Sequence, residues 1–87
     1  MIYEVFYSEA ALKEIQQIPA KDAKKIYLKT EELGNNPRPK GYKKLEASKE
    51  NMLRIRVGDY RILYTVEDTL EVVDIRRIGH RKDVYKK

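Results

Sequence analysis

The sequence predicts an α+β domain in which an N-terminal strand and a helical hairpin pack on one face of a twisted, mostly antiparallel sheet. Three observations carry this expectation. The opening "IYEVFY" alternates and is rich in β-branched and aromatic residues; two stretches with apolar residues at helical spacing follow, divided by Pro19; and three alternating apolar runs fill the second half. With 87 residues there is no second core to divide, so residues 1–87 are expected to form a single domain.

Residues 2–7 read as the first strand, and Ser8 follows as a helix N-cap with Glu9 placed at the positive end of the helix dipole. Leu12, Ile15 and Ile18 then recur on one helical face. Pro19 ends that helix and introduces a second, striped by Ala23, Ile26, Tyr27, Thr30 and Leu33, for which Gly34 is the expected stop. The loop "GNNPRPKGY" separates this hairpin from a weak strand near "YKKLEA" and from the runs "NMLRIRV", "YRILYTV" and "LEVVDIRRI".

Charge divides unevenly along the chain. Residues 1–34 hold five Lys against six acids, a net of −1, whereas residues 35–87 hold fourteen Lys or Arg against eight acids, a net of +6. A clustered positive field implies a polyanionic partner, and nucleic acid is the commonest. The 41% of hydrophobic residues form no run long enough to span a membrane. The opening lacks the basic and apolar regions of a signal peptide, and there are no cysteines, so a cytoplasmic location with no membrane partner is expected.

The segment "LRIRVGDYRILYTV" is the most informative. Gly58-Asp59 suits a two-residue type II′ hairpin turn, which sets Val57 against Tyr60, Ile55 against Ile62 and Leu53 against Tyr64 on the side facing the helices. The opposite side receives Arg54, Arg56 and Arg61, with Arg56 facing Arg61. A second turn at Asp68-Thr69 would set Ile75 against Ile62, Val73 against Tyr64 and Asp74 against Leu63, and would bring Arg76 beside Arg61 as a fourth arginine. Like charges directly opposite each other destabilise a sheet. A phosphate backbone would relieve the repulsion, because the guanidinium fork matches phosphate oxygens in two-point contacts; ion pairs to Glu46, Glu50, Asp74 or Asp83 are the alternative. Gly79 is expected to break the last strand, leaving His80, Arg81, Lys82 and Tyr85 near the edge of the arginine face. There Tyr85 would either stack on an unpaired base or anchor the tail.

Together, "RVGDYRILY" and "GHRKDVY", behind a strand and a helical hairpin, resemble the RelE branch of the RelE/ParE toxin superfamily over nearly the whole chain. The order Gly-His-Arg points to that branch, since ParE-like relatives more often read His-Gly-Arg. The resemblance implies a toxin of a type II toxin-antitoxin system that cleaves mRNA in the A site of the 70S ribosome, with neither metal nor cofactor. The ribose 2′-hydroxyl attacks the adjacent phosphate in that reaction. The resemblance also implies a RelB-like antitoxin, whose complex with the toxin binds its own operator DNA.

Carried onto this sequence, the resemblance makes Arg61 the phosphate-stabilising arginine, Arg81 an acid or charge clamp, and Tyr85 the base-stacking residue. Arg54 and Arg56 fall where some members carry catalytic lysines. Arginine stays protonated to above about pH 12 and makes a poor general base. Glu50, Glu46 or His80 are therefore the candidates for proton transfer, unless arginine electrostatics and A-site geometry suffice. Arg76, Lys82, Lys43, Lys44 and Lys86 are the candidate RNA-binding residues. Two competing functions remain: a ParE-like inhibitor of DNA gyrase, and a basic nucleic-acid-binding module without chemistry.

Overall fold

A computed structural model describes residues 2–45 and 50–80. The chain runs β1 (Glu4–Tyr7), α1 (Glu9–Gln16), α2 (Ala20–Asn35), β2 (Lys43–Lys44), β3 (Leu53–Val57), β4 (Tyr60–Glu67) and β5 (Val72–His80). The five strands form one sheet in the order β1-β5-β4-β3-β2, antiparallel except for the β1/β5 pair. Among the described residues no helix is long and apolar enough to cross a membrane.

One face of this sheet carries the core. Ile15 of α1, Ile26 and Leu33 of α2, and Leu53, Ile55, Ile62, Tyr64, Val73, Ile75 and Ile78 of the sheet pack as one cluster. Ala11, not Leu12, lies on the buried face of α1; Leu12 is exposed. The small residue lets the helix approach the sheet, and the apolar stripe is Ala11, Ile15 and Ile18. On α2, Ile26, Thr30 and Leu33 are buried as the spacing predicts, while Tyr27 is exposed. The buried Thr30 hydroxyl donates to the Tyr27 carbonyl at 2.8 Å, so at 2.6 Å Tyr7 O–H is the donor to Thr30 Oγ1.

Gly34 does not stop α2, which continues through Asn35. A Cβ at Gly34 would stand 3.0 Å from the Tyr3 carbonyl oxygen and 3.2 Å from Val5 Cγ2. Glycine is required there for close approach of β1, whose Tyr3 N–H donates to the Gly34 carbonyl at 2.7 Å. Ser8 caps α1, accepting from Ala11 N–H at 3.0 Å, which stabilises a helix by about 1 kcal/mol. Its hydroxyl also donates to the Arg76 carbonyl at 2.8 Å, and so ties the start of α1 to the middle of β5.

The β3/β4 register is the expected one, from Leu53↔Tyr64 to Val57↔Tyr60, and Gly58 adopts a left-handed φ of 59°. The β4/β5 register is not. The turn spans residues 68–71 instead of closing on Asp68-Thr69, with Glu71 at φ 57°, so Tyr64 faces Ile75 and Asp74 faces Thr65. A β-bulge then displaces the pairing between Leu63 and Tyr64, after which Leu63 faces Arg77, Ile62 faces Ile78 and Arg61 faces Gly79. Ile75 and Ile78 both reach the core although three positions apart, which regular alternation forbids; the bulge inserts the extra residue, Arg76. Gly79 lies within β5, not beyond it.

A second set of contacts secures the loop before β2. Arg38 donates twice to the Asp68 carboxylate, at 3.2 and 3.0 Å, and Tyr3 donates to the same group at 2.8 Å. The Arg38 hydrogen bond, followed by that of Tyr3, holds the Asp68 carboxyl below its ordinary pKa.

Candidate nucleic-acid interface

Alternation along β3 and β4 places Arg54, Arg56, Arg61 and Leu63 on the sheet face away from the helices, since their neighbours Leu53, Ile55, Ile62 and Tyr64 belong to the core. Pairing across the sheet arranges that face in two rows. One reads Lys43, Arg54, Leu63, Arg77 from β2 to β5; the other reads Arg56, Arg61, Gly79 from β3 to β5. Arg56 stands directly opposite Arg61 and is exposed, while Arg61 is half-buried, with its Nε shielded from solvent. A half-buried stem holds the guanidinium in place and leaves less rotamer freedom to lose on binding.

Arg76 is not beside Arg61, as the shorter turn would have required. The Gly79 position occupies that place, with no side chain beyond Cα. Arg76 instead pairs with Glu50, Nη1 to Oε1 at 2.9 Å, both side chains being partly exposed. Exposed pairs of this kind contribute about 0–1 kcal/mol. Glu50, a candidate base, is thus joined to a strand of the arginine face.

Arg77 turns to α1. Its Nε and Nη2 each lie 2.7 Å from Glu14 Oε2, and the Ile78 backbone N–H donates to Glu14 Oε1 at 2.7 Å. The hydrogen bond to Glu14 raises the Arg77 pKa, so the guanidinium is charged at any physiological pH. Here β5 extends beyond β1, whose pairing stops at Tyr7↔Ile75, and the Glu14 carboxylate takes the Ile78 N–H that a longer β1 would have bonded. Glu14 was not singled out from the sequence. Its signal was a carboxylate at helical spacing from Ala11 and Ile18, on the border of the buried face of α1.

His80 does not join the arginines. It pairs with Tyr60 on the helix side of the sheet, and their rings meet edge to face at a centroid distance of 5.9 Å. Lys43 and Lys44 form the exposed strand β2, with Lys43 beside Arg54 and Lys44 on the side of Leu53. Glu46, Arg81, Lys82, Tyr85 and Lys86 lie outside the described residues. Among the described residues no group of three or more His, Cys, Asp or Glu stands close enough to hold a metal ion.

The family model for the ParE toxin of type II toxin-antitoxin systems matches residues 5–85. The chain belongs to the RelE/ParE toxin superfamily. Two curated relatives from Methanocaldococcus jannaschii carry RelE names. One, called RelE1, is 33% identical over 89 residues, spanning 99% of this chain and 98% of that protein. The other, toxin RelE3, is 33% identical over 86 residues and spans 94% of each. Among solved structures, the archaeal RelE-RelB complex from Pyrococcus horikoshii superposes with a TM-score of 0.81 at 26% identity, covering 95% of this chain and 99% of that one. The RelBE2 toxin-antitoxin complex of Mycobacterium tuberculosis gives 0.84 at 25% identity and 95% coverage of each. The α+β arrangement described above is therefore the RelE/ParE fold, and in this chain its sheet carries the arginine rows.

Proposed function

We propose that this RelE/ParE-family chain acts, as one domain over residues 1–87, as a cytoplasmic, ribosome-dependent mRNA endonuclease working in the A site. The observation that carries the reading is the row Arg56, Arg61, Gly79: two guanidinium groups face each other across β3 and β4, and the next position is a glycine. Such a row matches a phosphate that gains charge as it reacts, because charge-assisted, two-point hydrogen bonds strengthen toward the transition state.

In the reaction, the 2′-oxygen forms a bond to phosphorus as its proton leaves, and the P–O5′ bond breaks as the 5′-oxygen gains a proton. The products are a 2′,3′-cyclic phosphate and a 5′-hydroxyl. Arg61 and Arg56 stabilise the pentacovalent phosphorus, with Arg54 and Lys43 holding the neighbouring phosphate. Glu50 accepts the 2′-proton; Glu46 is the alternative outside the described residues. Arg81 assists the leaving oxygen and Tyr85 stacks on a base, while Arg76, Lys44, Lys82 and Lys86 supply the surrounding positive field. His80, placed with Tyr60, takes no part at the phosphate.

The RelB partners in related crystal structures support a RelB-like antitoxin that covers the basic face with an acidic or amphipathic segment, in a complex that binds its operator DNA. Co-expression with the neighbouring antitoxin gene should abolish toxicity.

The test is cell-free. The purified protein is added to an mRNA with and without programmed ribosomes, and 5′ ends are mapped by primer extension. Cuts at codon positions that require ribosomes are expected, with Arg61→Ala and Arg81→Ala each losing at least about tenfold in rate. Full activity in both variants overturns the site assignment. The match to a ParE family model favours a second reading, inhibition of DNA gyrase without cleavage. Folded protein that cuts no RNA but blocks gyrase would establish it.

A further inference from the structure

A cleft of about 340 Å³ lies at the end of the sheet beside the arginine rows, on the helix side. Its walls are Gln17 and Ile18 from the end of α1, Tyr60 from β4, and Arg77 to His80 from β5, with Glu14 at its inner side. Two features connect it to the phosphate-binding row. Gly79 is the cross-strand neighbour of Arg61, about 5 Å away, and carries no side chain to separate that row from the β5 edge. Among the described residues no strand neighbours that edge beyond Ile75, and its Ile78 N–H is taken by Glu14.

A chain whose phosphate rests on Arg61 can therefore cross the β5 edge at Gly79 and enter the cleft. The cleft suits an uncharged, planar, hydrogen-bonding group. The Glu14 carboxylate, the one acid among the described residues that line it, is neutralised by Arg77 and bonded by the Ile78 N–H. Ile18 offers an apolar surface, and the Tyr60 and His80 rings form one wall. Gln17 is exposed, and its carboxamide presents a donor and an acceptor side by side, the pattern that reads adenine in two-point contact.

We propose that this cleft is a nucleobase subsite, which takes a purine, adenine above all, from the nucleotide adjoining the phosphate held by Arg61. The inference rests on the reading of the arginine face as an RNA phosphate site. It gives His80 and Tyr60 a binding role apart from proton transfer, and adds Gln17 as a specificity-determining residue.

The probe is adenosine 5′-monophosphate, compared with ribose 5-phosphate and uridine 5′-monophosphate, titrated into the isotope-labelled full chain and followed by amide NMR. The Gln17 side-chain amide and the His80 backbone amide are expected to shift with the adenine nucleotide and to remain still with ribose 5-phosphate, whereas the Gly79 amide, beside Arg61, should respond to both. Affinity for the adenine nucleotide should exceed that for ribose 5-phosphate at least about tenfold, in line with the worth of a two-point base contact. Gln17→Ala should erase this preference and leave ribose 5-phosphate binding unchanged, whereas Arg61→Ala should weaken both ligands. Equal affinities for the three ligands, or shifts confined to the arginine face, overturn the subsite. If mRNA is cut but binding shows no base preference, the subsite falls and the nuclease stands. Base-selective binding by a protein that cuts no mRNA retains the subsite and removes the nuclease.

Discussion

Removing one hydroxyl, in Tyr64→Phe, should produce a stability loss that shrinks as the solution becomes alkaline. Tyr64 has 0% exposure, and its O–H donates to the Pro37 carbonyl at 2.7 Å, anchoring the loop before β2 to the middle of β4. The deletion removes one buried hydrogen bond and leaves its acceptor unpaired, a cost of about 1–2 kcal/mol at neutral pH. Burial, opposed by the Arg38 charge, pushes the Tyr64 phenol from 10.0 up to about 12.

The unfolded chain therefore ionises at this residue before the folded one does. The contribution is complete below pH 10 and is lost as pH rises toward 12. At pH 11 the wild type has lost about 1 kcal/mol by this linkage, and the phenylalanine variant has lost none of it. The remaining tyrosines are common to both proteins and cancel. The gap between the two proteins should thus be about 1 kcal/mol smaller at pH 11 than at pH 7. Urea unfolding followed by far-ultraviolet circular dichroism at pH 7 and pH 11 measures both differences. An equal gap at the two pH values would refute the reasoning, because it would mean that the hydroxyl titrates alike in folded and unfolded chains.

Three further outcomes follow from other contacts. Gly34→Ala gains about 1 kcal/mol of helix propensity, but a Cβ 3.0 Å from a backbone carbonyl cannot be accommodated by a side-chain shift, so thermal melting should report a net loss of about 1 kcal/mol. Glu50→Gln should change stability by no more than about 0.5 kcal/mol, since its Arg76 partner is an exposed one. Single-turnover cleavage should nevertheless fall at least about tenfold, reflecting loss of the proton acceptor. The Asp68 contribution is complete above the ordinary carboxyl value of 3.8 and is lost as pH falls through its lowered folded value. The melting-temperature gap between wild type and Asp68→Asn should accordingly close on acidification below that value.

The β3/β4 hairpin was legible because its turn is short and its apolar residues alternate without interruption, which leaves one register open. The β4/β5 pair was not. Its four-residue turn relies on Glu71 in a left-handed conformation that no glycine advertises, and its bulge at Arg76 has no letter of its own. Each moves the pairing, and the error fell on the arginine face as Arg76 in place of Gly79. The α1 stripe went astray on a smaller scale: Leu12 is the more apolar residue, but close packing against the sheet favoured Ala11. Glu14 eluded sequence reading because its partners, Arg77 and Ile78, are 63 and 64 positions away.

The bulge also changes what a transposition of two letters would mean. Because Arg76 resets the alternation of β5, position 79 opens toward the arginines and position 80 toward the cleft. Gly79→His combined with His80→Gly conserves composition, length and charge, yet carries an imidazole through the thickness of the sheet to stand opposite Arg61. The order of this dipeptide thus acts as an address, and the extra residue upstream is what makes it readable: two chains with identical tails but different bulges would deliver the same histidine to opposite sides.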